Sequence, residues 1–131
     1  MIVIDASALT AIVLKEEGWE DLLDSSDMFL SVDLILKEAA NAVWAAALSG
    51  RLSTAEAREA FSILREFFAS VVVTRPQSGL VDQAFELALK HGLTVYDSIY
   101  VALAVRESLP LLTLDSSQAR VAREEGIRVL P

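Results

Sequence analysis

The chain has 131 residues, 53% of them hydrophobic, with 19 acidic and 11 basic side chains for a net charge of −8; that length suits a single domain over residues 1–131. The absence of cysteine excludes disulfides, thiolate nucleophiles, cysteine zinc sites and iron–sulfur clusters, and one histidine, His91, excludes a multi-histidine metal centre. The start MIVID lacks the positive charge of a signal peptide, and no apolar run approaches the ~18 residues of a membrane span, so a soluble cytoplasmic protein with no membrane partner is expected.

Residues 1–4 are apolar and rich in β-branched side chains, which predicts a buried strand ending at Asp5. Leu9, Ile12 and Val13 recur at helical spacing over about 7–17, where Gly18 interrupts, and a second short helix covers 19–24. Residues 28–32 read as a strand, and Asp33 as the N-cap of a long Ala- and Leu-rich helix ending near Gly50. Ser53 and Glu56 have capping-box spacing for a helix to about Ala69, and 71–74 is a strand stopped by Pro76. Val81, Phe85, Ala88 and Leu89 repeat as one helical stripe, with Gly92 at the C′ position. A helix over about 96–108 is barred from continuing by Pro110. A strand over 111–114, a helix over 116–125, a stop at Gly126 and a strand over 127–130 complete the chain. Strands alternating with helices predict a three-layer α/β/α fold around a parallel sheet of about five strands.

Most acids form solvated runs, such as Glu16 with Glu17 and Glu124 with Glu125, and four do not. Asp5 follows the first strand and Asp115 the fourth, on the edge of a parallel sheet where ligands bind. Each also suits a simple helix cap, Asp115 having capping-box spacing to Gln118. Glu38 and Asn41 interrupt the stripe Leu34, Glu38, Asn41, Ala45, Leu48, and a carboxylate on a buried face needs a partner, a hydrogen bond or a metal. A glutamate snorkelling at the edge of that stripe is the plainer alternative. Asp97 opens a helix that is nearly all apolar after Tyr100, and a cap is again the plain alternative.

Four acids meeting at one rim repel, and divalent cations remove that repulsion. An all-oxygen site suits Mg²⁺ or Mn²⁺ far better than zinc or copper. Ser7 and Thr113, each two residues from an acid, have hydroxyls able to orient a carboxylate. Metal held by carboxylates suits phosphate chemistry.

The succession MIVIDAS, LILKEAANAVW, HGLTVYDSIYVALA, LLTLDSSQA resembles, in order and over nearly the whole chain, the PIN-domain ribonucleases, most closely the VapC-type toxins of toxin–antitoxin pairs. The resemblance implies metal ligands at Asp5, Glu38, Asp97 and Asp115, with Ser7, Thr113 and the Asn41 of the E-x-x-N element in support. It further implies a five-stranded parallel sheet with flanking helices and Mg²⁺- or Mn²⁺-dependent endoribonuclease cleavage of RNA. The implied partners are a second copy, in a homodimer, and a cognate antitoxin whose C-terminal segment enters the active-site groove.

Two other acid-and-Mg²⁺ folds fit poorly. A phosphoaspartyl receiver needs a lysine after its last strands, but the lysines Lys15, Lys37 and Lys90 all precede the fourth strand. A haloacid-dehalogenase-like phosphatase needs a second acid where Ser7 stands. A metal-free interaction module whose acids are caps and ion-pair partners is the alternative of a different class. His91 is explained by the helix dipole, Lys37, Arg51, Lys90 and Arg106 are candidate RNA-backbone contacts, and Trp19 and Trp44 read as core or interface. The charge of −8, which alone argues against nucleic acid, owes half its size to the four acids, and cations there would attract phosphate.

Overall fold

The computed structural model describes the whole chain, Met1–Pro131. Strands β1 (Ile2–Ile4), β2 (Phe29–Val32), β3 (Val72–Arg75), β4 (Leu111–Leu112) and β5 (Val129–Leu130) form one sheet in the order β3-β2-β1-β4-β5, every neighbouring pair parallel. All residues of β1, β2 and β4 are buried, as a sheet covered on both faces demands. The chain steps outward from β1 through β2 to β3, then crosses back to place β4 and β5 on the other side of β1. Strand order therefore reverses between β1 and β4, and such a switch point opens a crevice beyond the strands' carboxyl ends. Val3 pairs with Leu111 and Ile4 with Leu112, so Asp5 and Thr113 leave the two strands side by side.

The helices are α1 (Ala6–Val13), α2 (Trp19–Leu23), α3 (Leu34–Leu48), α4 (Thr54–Val71), α5 (Val81–His91), α6 (Val95–Glu107) and α7 (Ser116–Glu124). Contacts divide them into two sets, α1 to α4 and α5 to α7, which form the outer layers. Helix α6 is buried at every residue from Ser98 to Ala104 and packs on β1, β2 and β4 as well as on α5 and α7, which is why its sequence shows no polar stripe. No helix is long and apolar enough to cross a membrane.

Several element ends differ from expectation for identifiable reasons. Helix α1 stops at Val13, well before Gly18, because Lys15 adopts the left-handed conformation (φ 52°) while Lys15 N donates to Ile12 O and Glu16 N to Ala11 O. That is a Schellman closure with lysine in glycine's usual place. Asp33 does not cap α3: its backbone is already helical, and its Oδ1 accepts from Gln77 N at 3.0 Å. Strand β4 ends at Leu112; Thr113 N still bonds to Leu130 O at 3.0 Å, but Leu114 N is taken by Ser7 Oγ and Asp115 caps α7. β5 begins only at Val129, since Ile127 N is taken by Ala122 O at 2.8 Å in closing α7.

Two stripes face the other way. In α3 the buried residues are Leu34, Ile35, Ala39, Val43 and Ala46, while Asn41, Ala45 and Leu48 are exposed and Glu38 stands at the boundary. In α5 the core takes Ala84 and Leu87, leaving Phe85 51% and Leu89 66% exposed. Trp44 is exposed as well, and Trp19 is half-buried with the Lys15 ammonium over its ring at 5.8 Å.

Candidate active site

Asp5 is fully buried where β1 hands over to α1, and it caps that helix: Oδ1 accepts from Ala8 N at 3.0 Å. Ser7 Oγ lies 2.7 Å from Oδ1 and 2.9 Å from Oδ2, and Thr113 Oγ1 donates to Oδ2 at 2.6 Å. The two hydroxyls also serve the far side of the crevice. Thr113 Oγ1 accepts from Asp115 N at 3.0 Å, and Ser7 Oγ from Leu114 N at 2.9 Å. Burial raises the Asp5 carboxyl to about 6, with the charge of Asp115 adding to the rise and the bonds from Thr113, Ala8 and Ser7 opposing it.

Asp115 caps α7, its Oδ1 accepting from Gln118 N at 2.8 Å. Capping and site membership are thus compatible at Asp5 and Asp115. Asp97 is not the cap of α6; Thr94 is, its Oγ1 accepting from Asp97 N at 3.2 Å. Asp97 lies in the first turn of α6, and its Oδ1 accepts from Gln118 Nε2 at 3.1 Å. Burial holds the Asp97 carboxyl above the ordinary range, and the charge of Asp115 adds to that. Glu38 Oε1 accepts from the hydroxyl of buried Tyr100 at 3.1 Å. Burial raises Glu38 despite that bond, and Asp97 and Asp5 raise it further. The Tyr100 phenol is in turn kept protonated, first by burial and then by Glu38.

Asp5, Glu38 and Asp97 are thus each raised in part by the charge of another of the four acids around the switch point. None of the four has a cationic partner, since every ion pair in the protein lies elsewhere. The donor set fits a hard divalent ion, because uncompensated carboxylates at this density are stabilised by positive charge. No three of them are close enough to close on one ion directly.

The remaining candidates fall as follows. Ser7 and Thr113 are in the site. Asn41, one helical turn from Glu38, is exposed and takes no part in the hydrogen bonds that link the acids. Arg51 pairs with Glu16, Lys90 with Glu125, and Arg106 donates to Gly79 O, while Lys37 is exposed on α3. The His91 side chain, only 6% exposed, sits between Glu124 (2.9 Å) and Glu125 (3.3 Å), a firmer reason for its position than a helix dipole. Two residues were not singled out from the sequence as functional, Tyr100 and Gln118; the only signal for Gln118 is its capping-box spacing to Asp115. The largest cavity, about 480 Å³, is an apolar groove between α3 and α4 lined by Trp44, Val43 and Phe61, and holds none of the acids.

Fold and acids together define a PIN-type domain, and the family model described as PIN domain matches residues 2–124. The chain belongs to the PIN-domain family, and the relatives it resembles are of the VapC type. It is 41% identical to Ribonuclease VapC3 of Pyrobaculum aerophilum over 121 residues, covering 90% of this chain and 92% of that one. It is 32% identical to Exonuclease VapC9 of the same organism, covering 86% and 78%, and 33% identical to Ribonuclease VapC9 of Mycobacterium tuberculosis, covering 88% and 86%. The crystal structure of PAE2754 from Pyrobaculum aerophilum superposes with a TM-score of 0.71 at 28% identity, covering 98% of this chain and 89% of that one. FitAcB from Neisseria gonorrhoeae, at 18% identity and a TM-score of 0.59 over 100% of this chain and 97% of that one, shares the fold.

Proposed function

We propose that the protein is a Mg²⁺- or Mn²⁺-dependent endoribonuclease, acting as the toxin of a VapBC-type pair, with Asp5, Glu38, Asp97 and Asp115 as the metal-holding acids. One observation supports this above the rest: four carboxylates lie around the switch point with no cationic partner, and one of them, Asp5, is fully buried there. The names of the ribonuclease relatives support RNA as the substrate class.

A bound divalent ion would supply charge neutralisation at the scissile phosphate and a water of lowered pKa. The rest falls to the chain. Ser7, Thr113 and Ala8 N fix the Asp5 carboxylate from three directions, so it meets a cation without reorganisation. Tyr100 fixes one oxygen of Glu38 and leaves the other free. One of the four acids also accepts the proton that the attacking water gives up. The protein is then a single cytoplasmic domain that works as a homodimer. A basic side chain of an inhibitory antitoxin would be drawn to the same acids.

The test is cleavage of total RNA across a Mg²⁺ or Mn²⁺ titration, with Asp5→Asn and Asp97→Asn as controls. Loss of cleavage in both variants is expected, and undiminished cleavage in both overturns the assignment. Because one relative is named an exonuclease, a circular RNA belongs in the same assay. Its cutting marks endonuclease action. The rival metal-free module is favoured only by the capping roles of Asp5 and Asp115, and it predicts a melting temperature indifferent to Mn²⁺.

A further inference from the structure

We infer that Gln118 is a positioning residue that holds Asp97 and Asp115 in one arrangement for the cation, an inference that rests on the metal-dependent reading above. At Ser53 and Glu56 a complete capping box shows the ordinary outcome of this spacing: Glu56 N donates to Ser53 Oγ, and Glu56 Oε1 accepts from Ser53 N at 2.9 Å. At Asp115 and Gln118 only the first half forms, with Gln118 N donating to Asp115 Oδ1. The second half is blocked, because Asp115 N already donates to Thr113 Oγ1. The Gln118 side chain turns instead to α6 and donates from Nε2 to Asp97 Oδ1.

Turning away has a visible cost. Oε1, the atom that would have closed the box, is buried with no hydrogen-bond partner, and the residue is only 3% exposed. An apolar side chain would fill this space without an orphaned acceptor. What glutamine adds is a side-chain donor to Asp97 on the residue whose backbone already donates to Asp115, so that both carboxylates are held against the repulsion between them. A lysine or arginine would hold Asp97 as well but would cancel the charge that a cation needs. A neutral donor orients the carboxylate and leaves its charge in place.

The experiment is Mn²⁺ binding to the full-length protein, followed by the electron paramagnetic resonance of the free ion. Wild type, Asp97→Asn, Gln118→Met, Gln118→Asn and the double variant Asp97→Asn/Gln118→Met are compared, each checked by circular dichroism. Methionine keeps the length without the donor, and asparagine keeps the amide but is too short to reach Asp97. Affinity about tenfold or more weaker is expected in both Gln118 variants. In the Asp97→Asn background Gln118→Met should add no further loss, which a merely structural effect would not reproduce. Wild-type affinity in whichever Gln118 variant folds, or full additivity with Asp97→Asn, overturns the inference. If wild type itself binds no Mn²⁺, the metal-dependent reading falls first and takes this one with it.

Discussion

Thr113 Oγ1 donates to Asp5 Oδ2 at 2.6 Å, joining the ends of β4 and β1 across 108 positions of sequence. The same oxygen accepts from Asp115 N, so one hydroxyl serves two acids of the site. Thr113→Val keeps the shape and removes the hydroxyl, leaving a buried carboxylate short of a donor and an amide short of an acceptor. A loss of about 1–3 kcal/mol is expected, read as a lower urea midpoint at unchanged slope. Thr113→Ser should retain most of the stability, and equal midpoints for Thr113→Val and wild type refute the role given to this hydroxyl.

Asp5 sets a pH dependence whose sign follows from its raised carboxyl. Folded Asp5 titrates at about 6 against an ordinary 3.8, so between these values the folded state binds the extra proton. The stability contributed by neutral Asp5 is complete below 3.8 and is lost as pH rises through 6. Relative to Asp5→Asn, neutral throughout, wild type with chelator present should therefore lose stability between pH 4 and pH 7 to 8, by an amount on the order of 3 kcal/mol. Mn²⁺ should offset that loss by stabilising wild type alone. A difference between the two proteins that does not change with pH would show that Asp5 is ionised without penalty.

Why the positions of Asp5 and Asp115 at strand ends are legible in the sequence, and the side-chain contact of Gln118 is not, is a matter of which physical signal each carries. An acid directly after an apolar strand run is visible one residue at a time, and parallel topology then assigns it to the ligand-binding edge. Gln118 depends on a competition: whether Asp115 N goes to Thr113 or to Gln118 is settled only once β4 lies beside β1. The stripe of α5 failed for a different reason. That helix carries two apolar faces, Val81, Phe85 and Leu89 on one and Ala84 and Leu87 on the other, and periodicity does not say which meets the core. The larger side chains lie on the outer face. In α1 the sequence points to Gly18 as the stop, whereas Lys15 takes the left-handed position.

Left-handed positions at two helix ends give an opposed pair of stability predictions. Gly92 closes α5 at φ 69°, and a Cβ there would meet nothing within 4 Å, so Gly92→Ala costs backbone strain alone, about 1–2 kcal/mol. Ser108 closes α6 at φ 55° with its side chain exposed. Ser108→Gly relieves the same strain and should stabilise by about 0.5–1 kcal/mol after the added freedom of the unfolded chain is counted. Thermal melts of the two variants should move in opposite directions, and movement in the same direction would refute the strain argument.

At the far end of α5, Glu125 is held below the ordinary carboxylate range, first by the hydrogen bond from Lys90 at 2.9 Å and then by His91. Lys90→Met should therefore return the Glu125 carboxyl towards its ordinary range by more than His91→Gln does, as followed by carbon NMR titration. A larger rise in His91→Gln would invert the order of the two partners.

Tyr100 offers a way to disturb the site without touching a carboxylate. Its hydroxyl is the one donor to Glu38, and it opposes the rise that burial and the charges of Asp97 and Asp5 impose. Tyr100→Phe removes that opposition, so Glu38 keeps its proton to a higher pH. A protonated Glu38 neither attracts a cation nor accepts a proton. The acid limb of the pH–rate profile for RNA cleavage should therefore move to higher pH, with the alkaline plateau largely kept. Because Glu38 is only half-buried, water can replace the lost donor, and the urea midpoint should fall by about 1 kcal/mol or less in stability terms. An unshifted acid limb would mean that Glu38 does not govern the ionisation on which cleavage depends.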